Sequence, residues 1–192
     1  MSPVSLAAPP ARSPQPPLRH EVVNACQVCA HRPLEPVLFL GYQVPVNLMP
    51  PAAEPMREQP AFPAQLLICP RCRLAQLGFI ADPRVLFPPD YPYTTGTTRL
   101  LRDNFAQLAT EAREVIGPSA GDLVIDIGAN DGTLLGNFQR AGWRVLGIEP
   151  TLKAAVANER GIPSLMQFFT PDLAADVRRE HGPARLVTAT NV

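Results

Sequence analysis

The 192-residue sequence lacks a surplus of charge, a long apolar run and a secretion signal. Its 17 basic and 17 acidic side chains cancel, so no net field draws the chain to nucleic acid or to an anionic membrane. No apolar run approaches the roughly 20 residues of a membrane span, and the N-terminus has neither the basic start nor the apolar core of a signal peptide. We therefore expect a cytoplasmic protein with no nucleic acid and no membrane among its partners.

Proline is abundant but unevenly placed, because 19 of the 24 prolines lie within residues 1–92. Residues 1–20 are rich in Pro, Ala and Ser with little to bury, which predicts a disordered tail. Residues 21–92 hold short apolar runs interrupted by prolines, which cannot build much of a core alone. Residues 93–192 show alternating helical and strand patterns, so we expect a small module followed by an α/β domain.

Cysteine occurs only four times, as two C-x-x-C pairs, Cys26 with Cys29 and Cys69 with Cys72. Each pair can present two thiolates from one tight turn, and two such turns complete a tetrahedral zinc site. Four thiolates leave no open position on the metal, so the predicted zinc is structural. Two disulfides are the alternative, which a reducing cytoplasm disfavours. His31 is close enough in sequence to replace one cysteine, although a solvated histidine is the favoured interpretation.

Residues 123–150 predict half of a nucleotide-binding βαβ unit. The run Leu123–Ile127 is apolar and rich in β-branched residues, as in a parallel strand buried on both faces. A glycine turn at 128–132 leads into a helical pattern, and a second apolar strand, Arg144–Ile148, ends at Glu149. An ordinary parallel-sheet crossover with incidental acids is the alternative interpretation.

The residue types in this unit suit a bound cofactor. Gly128 lets the backbone turn sharply and approach a ligand, and Gly132 allows close contact where the helix begins. Glu149, at the carboxyl end of the second strand, can accept both hydroxyls of a ribose. The glycine spacing departs from the dinucleotide fingerprint G-x-G-x-x-G, which argues against a dehydrogenase. Asp-x-Gly-x-x-x-Gly with an acid on the next strand resembles the S-adenosylmethionine site of class I methyltransferases.

The chain beyond Glu149 continues the alternation. Helices are predicted at 151–160 and 171–181, and strands within 162–169 and at 185–190. We count four strands where a complete class I methyltransferase sheet has seven. The predicted fold class is therefore α/β: an N-terminal zinc-binding module with four cysteine ligands (21–92), followed by an incomplete Rossmann-like class I methyltransferase sheet (93–192). The open sheet edge predicts self-association or a separate C-terminal partner.

Several motifs occur together between Cys26 and Val192. They are the two C-x-x-C pairs, Asp-Tyr-Pro-Tyr-Thr-Thr-Gly at 90–96, Ile-Gly-Ala-Asn-Asp-Gly-Thr-Leu-Leu at 127–135, Gly-Ile-Glu-Pro at 147–150, Phe168-Phe169 and Ala-Thr-Asn-Val at 189–192. In this order, they resemble the zinc-containing, S-adenosylmethionine-dependent sugar C-methyltransferases of deoxysugar biosynthesis. The resemblance implies transfer of a methyl group to the carbon beside the ketone of a nucleotide-linked 4-keto-6-deoxysugar, after a base has removed the C3 proton.

The resemblance also implies roles for particular residues. Nine positions match the family's cofactor-binding motifs: Asp126, Gly128, Asn130, Asp131, Gly132, Glu149, Phe168, Phe169 and Asn191. Of these, Phe168 or Phe169 is expected against the adenine, and Asn191 at the methyl end. The family has an active-site tyrosine in the loop that here contains Tyr91 and Tyr93, so either of them is expected to contact the sugar.

The family's histidine base follows the Asn motif, and so it lies beyond Val192. His20, His31 and His181 match none of the family's roles. We therefore expect that this chain cannot turn over alone, and methyl transfer by the chain without added residues would contradict this. Two alternatives stay open: an O- or N-methyltransferase with a zinc module, and a zinc-ribbon interaction or nucleic-acid-binding module with a degenerate cofactor-binding half. The zero net charge argues against nucleic acid.

Overall fold

The computed structural model describes residues 18–50, 52–55, 57–117 and 121–192. The chain divides into two compact units, of which the first comprises Met1–Pro45 and Ala52–Leu86, and the second Val46–Pro51 and Phe87–Val192. Residues 1–17 of the predicted tail lie outside the described residues.

The first unit consists of short antiparallel strands. Its elements are β1 (Glu21–Val22), β2 (Glu35–Gln43), β3 (Phe62–Ile68), β4 (Ala75–Leu77), β5 (Phe79–Ile80) and the single-turn helix α1 (Pro83–Leu86). Strand β1 pairs with β5, and the other three strands form a sheet in the order β2-β3-β4. Strand β2 lies at the edge of this sheet, and its pairing with β3 contains two register shifts. Prolines and the bulged edge keep the sheet small.

Few apolar side chains are buried among the described residues of the first unit. They are Val23, Cys26, Leu67 and Cys69, so two of the four are cysteines. At about 1.5–3 kcal/mol for each fully buried large apolar side chain, such a core contributes little against the entropy of ordering the unit. The fold of this unit therefore depends on what its cysteines bind.

The second unit is a layered α/β structure around a parallel sheet. The strands have the order β8-β7-β6-β9, and all three pairings are parallel. A 3-10 turn (Thr95–Thr97) precedes the first helix, and the elements are then α2 (Arg99–Ile116), β6 (Leu123–Ile127), α3 (Thr133–Arg140), β7 (Arg144–Ile148), α4 (Lys153–Glu159), β8 (Ser164–Leu165), α5 (Pro171–His181) and β9 (Leu186–Ala189). The four predicted strands and the α/β class are confirmed.

The core of the second unit lies on both faces of the sheet. Val124 packs on one face with side chains of α2, α3 and α4, among them Phe105 and Phe138. Leu123 and Ile125 pack on the other face with α5. Successive residues of a strand point to opposite faces, so the continuous apolar run predicted for β6 buries it on both sides. The carboxyl ends of the parallel strands consequently meet at one edge of the sheet. None of the described helices is both long and apolar enough to span a membrane.

Candidate functional site

The two C-x-x-C turns of the first unit come together in space. All four Sγ atoms lie within 4.8 Å of one another, with Cys26 and Cys72 at 3.4 Å and Cys29 and Cys69 at 3.6 Å. Tetrahedral zinc with Zn–S bonds of about 2.3 Å requires S–S separations of about 3.8 Å. The four side chains are free thiols, not disulfides. Their arrangement fits Zn²⁺, and no position remains open for a reacting molecule.

The backbone of each turn stabilises thiolate ligands. The amide of the second cysteine donates to Sγ of the first at 3.5 Å, from Cys29 to Cys26 and from Cys72 to Cys69. The bond from Cys29 lowers the pKa of the Cys26 thiol to about 6, which favours the form that binds metal. His31 accepts a bond from Cys26 N through its carbonyl oxygen at 3.0 Å. Its side chain is not part of the four-cysteine group found among the described residues.

The second candidate site lies at the carboxyl ends of β6 and β7. Asp126 on β6 is buried, and its Oδ1 accepts a hydrogen bond of 2.7 Å from the hydroxyl of Thr188 on the neighbouring strand β9. Burial, together with the nearby charge of Glu149, raises the pKa of Asp126 to about 6. The ionised form of this carboxylate is therefore destabilised by its surroundings.

Glu149 follows β7 and is also buried. Its Oε1 accepts two bonds from Thr151, from the amide at 2.9 Å and from the hydroxyl at 2.6 Å, and its Oε2 accepts one from Asn130 N at 2.9 Å. A carboxylate oxygen accepts about two hydrogen bonds, so Oε2 has capacity for one more donor. Within the described part of the chain, neither Glu149 nor Asp126 forms an ion pair, so the two strand ends carry uncompensated negative charge.

The glycine turn between these acids requires glycine at two positions. Gly128 has φ 72°, and a Cβ added there would collide with Cγ1 of Val192. Gly132 has φ 75°, and its added Cβ would lie 3.0 Å from Ile162. The first contact brings the segment after β9, which contains Asn191, beside the turn.

Asn130 in the same turn is buried, and its side chain binds the preceding loop. Its Oδ1 accepts from Thr95 N at 2.9 Å, and its Nδ2 donates to the carbonyl oxygen of Tyr93 at 3.2 Å. The backbone of Asn130 is left-handed, with φ 51°. This residue therefore joins the tyrosine-containing loop to the turn.

Asp131 is fully buried, with both oxygens engaged by groups of the chain itself. Oδ1 accepts from the amide and the hydroxyl of Thr133 at 3.2 and 2.6 Å, and Oδ2 accepts from Gly96 N at 3.1 Å and from Arg160 Nη1 at 2.6 Å. Burial opposes ionisation, but the bonds from Thr133 and the ion pair with Arg160 outweigh it and lower the pKa of Asp131. Its carboxylate holds the loop, the start of α3 and the end of α4 together.

The two tyrosines of the loop have different surroundings. The Tyr91 hydroxyl accepts a bond from Asn47 Nδ2 at 3.1 Å. Burial raises the pKa of Tyr91, and the charge of Glu149 adds to this shift. Tyr93 is 46% exposed, so its phenol is open to a ligand. Tyr91 is therefore a neutral phenol at neutral pH, and Tyr93 is the more accessible of the two.

The two phenylalanines lie between β8 and α5, and β8 is the neighbour of β7, the strand that precedes Glu149. Phe168 is partly buried and Phe169 is exposed. Sequence reasoning did not identify four partners of the site residues: Asn47, Thr151, Arg160 and Thr188. Thr151 could have been found, because a hydroxyl two residues after an acid is a local capping pattern. The others come from distant parts of the chain and leave no local signal.

Comparison with known proteins gives a family match, a curated relative and matches to solved structures. Residues 26–87 match the family Methyltransf_13, described as "Putative zinc binding domain". Over 167 residues, the chain is 34% identical to the C-methyltransferase NovU of Streptomyces niveus, which covers 86% of this chain and 39% of that protein. The chain therefore spans about two fifths of the length of this curated relative. The crystal structure of the glycopeptide N-methyltransferase MtfA complexed with sinefungin matches 45% of this chain and 32% of its own, at 24% identity and a TM-score of 0.27.

Proposed function

We propose that this chain belongs to the zinc-containing C-methyltransferases and that its second unit binds S-adenosylmethionine for C-methylation of a nucleotide-linked keto sugar. When bound, S-adenosylmethionine supplies the methyl group that is transferred. The observation that carries the proposal is the pair of buried carboxylates, Asp126 and Glu149, at the carboxyl ends of adjacent parallel strands. Ligands of open parallel sheets bind at this edge.

Charge supports a cationic cofactor at this edge. Asp126 and Glu149 are buried without an ion pair among the described residues, and the pKa of Asp126 is raised to about 6. S-adenosylmethionine carries a sulfonium and an ammonium group, and a positive charge near a carboxylate favours its ionised form. A phosphate-bearing dinucleotide would instead add negative charge beside two carboxylates that have no cation to pair with in the described part of the chain.

The hydrogen-bonding capacity of each acid refines its proposed role. We assign Glu149 Oε2 to one ribose hydroxyl, because Oε1 already accepts two bonds from Thr151. Gly128 and Gly132 provide the close backbone approach. Asp131 has no oxygen left for a ligand, so we assign it to support of the turn. The adenine is assigned to Phe168 or Phe169, and the methyl end to Asn191.

The sugar is assigned to the tyrosine loop. Tyr93 is the more exposed phenol, whereas Tyr91 is held by Asn47 and has a raised pKa. A neutral phenol donates a hydrogen bond to a carbonyl oxygen but is a poor base for a carbon acid at neutral pH. His181 ends α5, and its carbonyl accepts from Arg144 at the amino end of β7, the opposite edge of the sheet. We propose that the base is supplied by residues beyond this chain.

The proposal is tested by titrating S-adenosylhomocysteine into the zinc-loaded chain in a calorimeter. Glu149→Ala is expected to weaken binding at least tenfold, because one charged hydrogen bond contributes about 1.5–3 kcal/mol. Glu159→Ala is the matched control, since Glu159 is exposed at the end of α4. Circular dichroism first verifies that each variant is folded. A folded wild-type chain that does not bind the ligand would overturn the proposal.

A further inference from the structure

We infer that Asn130 is a positioning residue that links the proposed ribose-binding carboxylate to the loop of Tyr91 and Tyr93, so that cofactor binding orders the substrate loop. This inference rests on the proposed function. Asn130 makes three hydrogen bonds at once. Its backbone N donates to Glu149 Oε2 at 2.9 Å and its Nδ2 donates to the Tyr93 carbonyl oxygen at 3.2 Å, while its Oδ1 accepts from Thr95 N at 2.9 Å. A single buried residue thus contacts both proposed sites.

The chemistry of this position selects asparagine. Its left-handed backbone, φ 51°, is one that asparagine adopts more readily than most other residues with a side chain. The loop presents one donor, Thr95 N, and one acceptor, the Tyr93 carbonyl, on either side of a single residue. The amide side chain of asparagine offers an acceptor and a donor together, whereas an ionised aspartate cannot donate and glycine has no side chain.

Further contacts make the loop follow the turn closely. Gly96 N donates to Asp131 Oδ2 at 3.1 Å, and a Cβ added to Gly96 would lie 2.6 Å from that oxygen and 2.7 Å from Thr133 Oγ1. Lys153 Nζ donates to Thr94 Oγ1 at 2.6 Å, from the first turn of α4. The loop between Tyr93 and Gly96 is therefore bound to the glycine turn and to α4. Among the described residues that bind this loop, Asn130 is the one that also contacts Glu149.

Ligand binding at Glu149 is transmitted to the tyrosine loop because Glu149 Oε2 is the acceptor for both the ligand and Asn130. Glu149 Oε2 accepts a hydrogen bond from Asn130 N. A ribose hydroxyl that also donates to this oxygen would restrain its position. A restrained Glu149 restrains Asn130, and Asn130 restrains the amide of Thr95 and the carbonyl of Tyr93. Ligand binding should then slow the opening of a loop that the ligand itself does not need to contact, because local opening controls the exchange of buried amides.

Amide hydrogen exchange of the zinc-loaded chain, with and without saturating S-adenosylhomocysteine, tests the inference. In the wild-type chain, we expect the ligand to slow exchange of the Thr95 amide at least tenfold. Asn130→Gly tolerates the left-handed backbone and removes both side-chain bonds. In this variant, exchange of Thr95 without ligand should be at least tenfold faster, and the ligand should no longer slow it, while the dissociation constant rises about three- to tenfold.

Two further variants separate positioning from general stability. Asn158→Ala is the matched control, because Asn158 also binds backbone groups, those of Ala154 and Ser164, but lies in α4 and joins this helix to β8. It should leave both the binding and the ligand effect on Thr95 unchanged. Asn130→Asp keeps an acceptor for Thr95 N and should restore part of its protection.

The outcomes distinguish this inference from the proposed function. If the wild-type chain binds the ligand and Asn130→Gly still shows the ligand-induced protection at Thr95, the inference is wrong and the proposed function stands. If the folded wild-type chain does not bind the ligand, both fail.

Discussion

At the scale of single residues, the buried carboxylate of Asp126 lowers the stability of the ligand-free second unit. This carboxylate is buried beside another acid, and the one hydrogen bond described for it comes from the neutral hydroxyl of Thr188. Native proteins rarely bury a charge without a cation, and such groups are found at functional sites more often than elsewhere. The destabilisation is understandable if a cationic ligand normally compensates the charge.

Asp126→Asn should therefore stabilise the ligand-free chain. Burial raises the pKa of Asp126 from 3.8 to about 6 in the native state. Between these two pH values, the Asp126 carboxyl is protonated in the native chain but ionised in the unfolded chain. Stability consequently falls as pH rises through the interval, and the cost is fully present above about pH 6. Asparagine keeps an acceptor for Thr188 and removes this cost, so urea denaturation at pH 7.5 should show a gain of about 1–3 kcal/mol.

The gain should be small at pH 4, where the native carboxyl of the wild type is already protonated. Asp103→Asn, at an exposed position on α2, is the control and should change stability by less than about 0.5 kcal/mol at either pH, because its ion pair with Arg99 is exposed. Binding of S-adenosylhomocysteine should weaken in Asp126→Asn, since the variant lacks the carboxylate that would attract the ammonium group of the ligand. Equal stability of the two chains at pH 7.5 would show that burial does not disfavour the Asp126 carboxylate.

At the scale of elements, helix α3 contains two glycines with opposite roles. Gly132 precedes the helix in a left-handed conformation and has Ile162 directly against it. Gly136 lies inside the helix, and a Cβ there would meet only the end of the Arg140 side chain at 3.4 Å and Ile162 at 3.8 Å. The first position needs a glycine for its backbone, whereas the second has room for a methyl group.

Alanine at these two positions should change stability in opposite directions. Gly136→Ala should raise the free energy of unfolding by about 0.5–1 kcal/mol, because alanine loses less backbone entropy in a helix. Gly132→Ala should lower it by about 1–3 kcal/mol, because it adds a strained backbone and an overpacked contact. Urea denaturation followed by Trp143 fluorescence measures both, and a loss of stability in Gly136→Ala would contradict the packing described for α3.

At the scale of the whole molecule, the two units differ in how they are stabilised. The described core of the first unit has Val23 and Leu67 as its buried apolar residues besides cysteines. The second unit has an apolar cluster on each face of its sheet, and Trp143 is buried in one of them. The first unit should depend on its metal, and the second should keep its core without it.

Removal of zinc with a strong chelator should unfold the first unit selectively. We expect one zinc per chain to be released, protease cleavage to appear within residues 21–86, and Trp143 fluorescence to stay unchanged. Cys26→Ser should have the same effect, because it removes one of four ligands. Gln107→Ala, at an exposed position on α2, is a control that should retain the metal. Protease resistance of residues 21–86 after metal removal would show that the first unit folds without zinc.

The sequence by itself determined the zinc ligands and the fold class, because both depend on local patterns. Two C-x-x-C pairs predict a metal site from spacing alone, and the apolar runs and glycine turn predict β6, β7 and the helix between them. These predictions are confirmed, whereas the domain limits and the roles of the cofactor residues stay predictions. The membership of Thr188 and Asn47 in the site was decided only by the tertiary structure.

The physical reason is that long-range partners depend on the order of strands in the sheet. Thr188 reaches Asp126 because β9 lies beside β6 and pairs these two residues in register. No property of either strand alone specifies this order, since each is merely apolar and short. The sequence likewise shows an acid at Glu149 with a hydroxyl two residues later, at Thr151, but only the folded chain shows that Asn130 connects the other oxygen of Glu149 to the tyrosine loop.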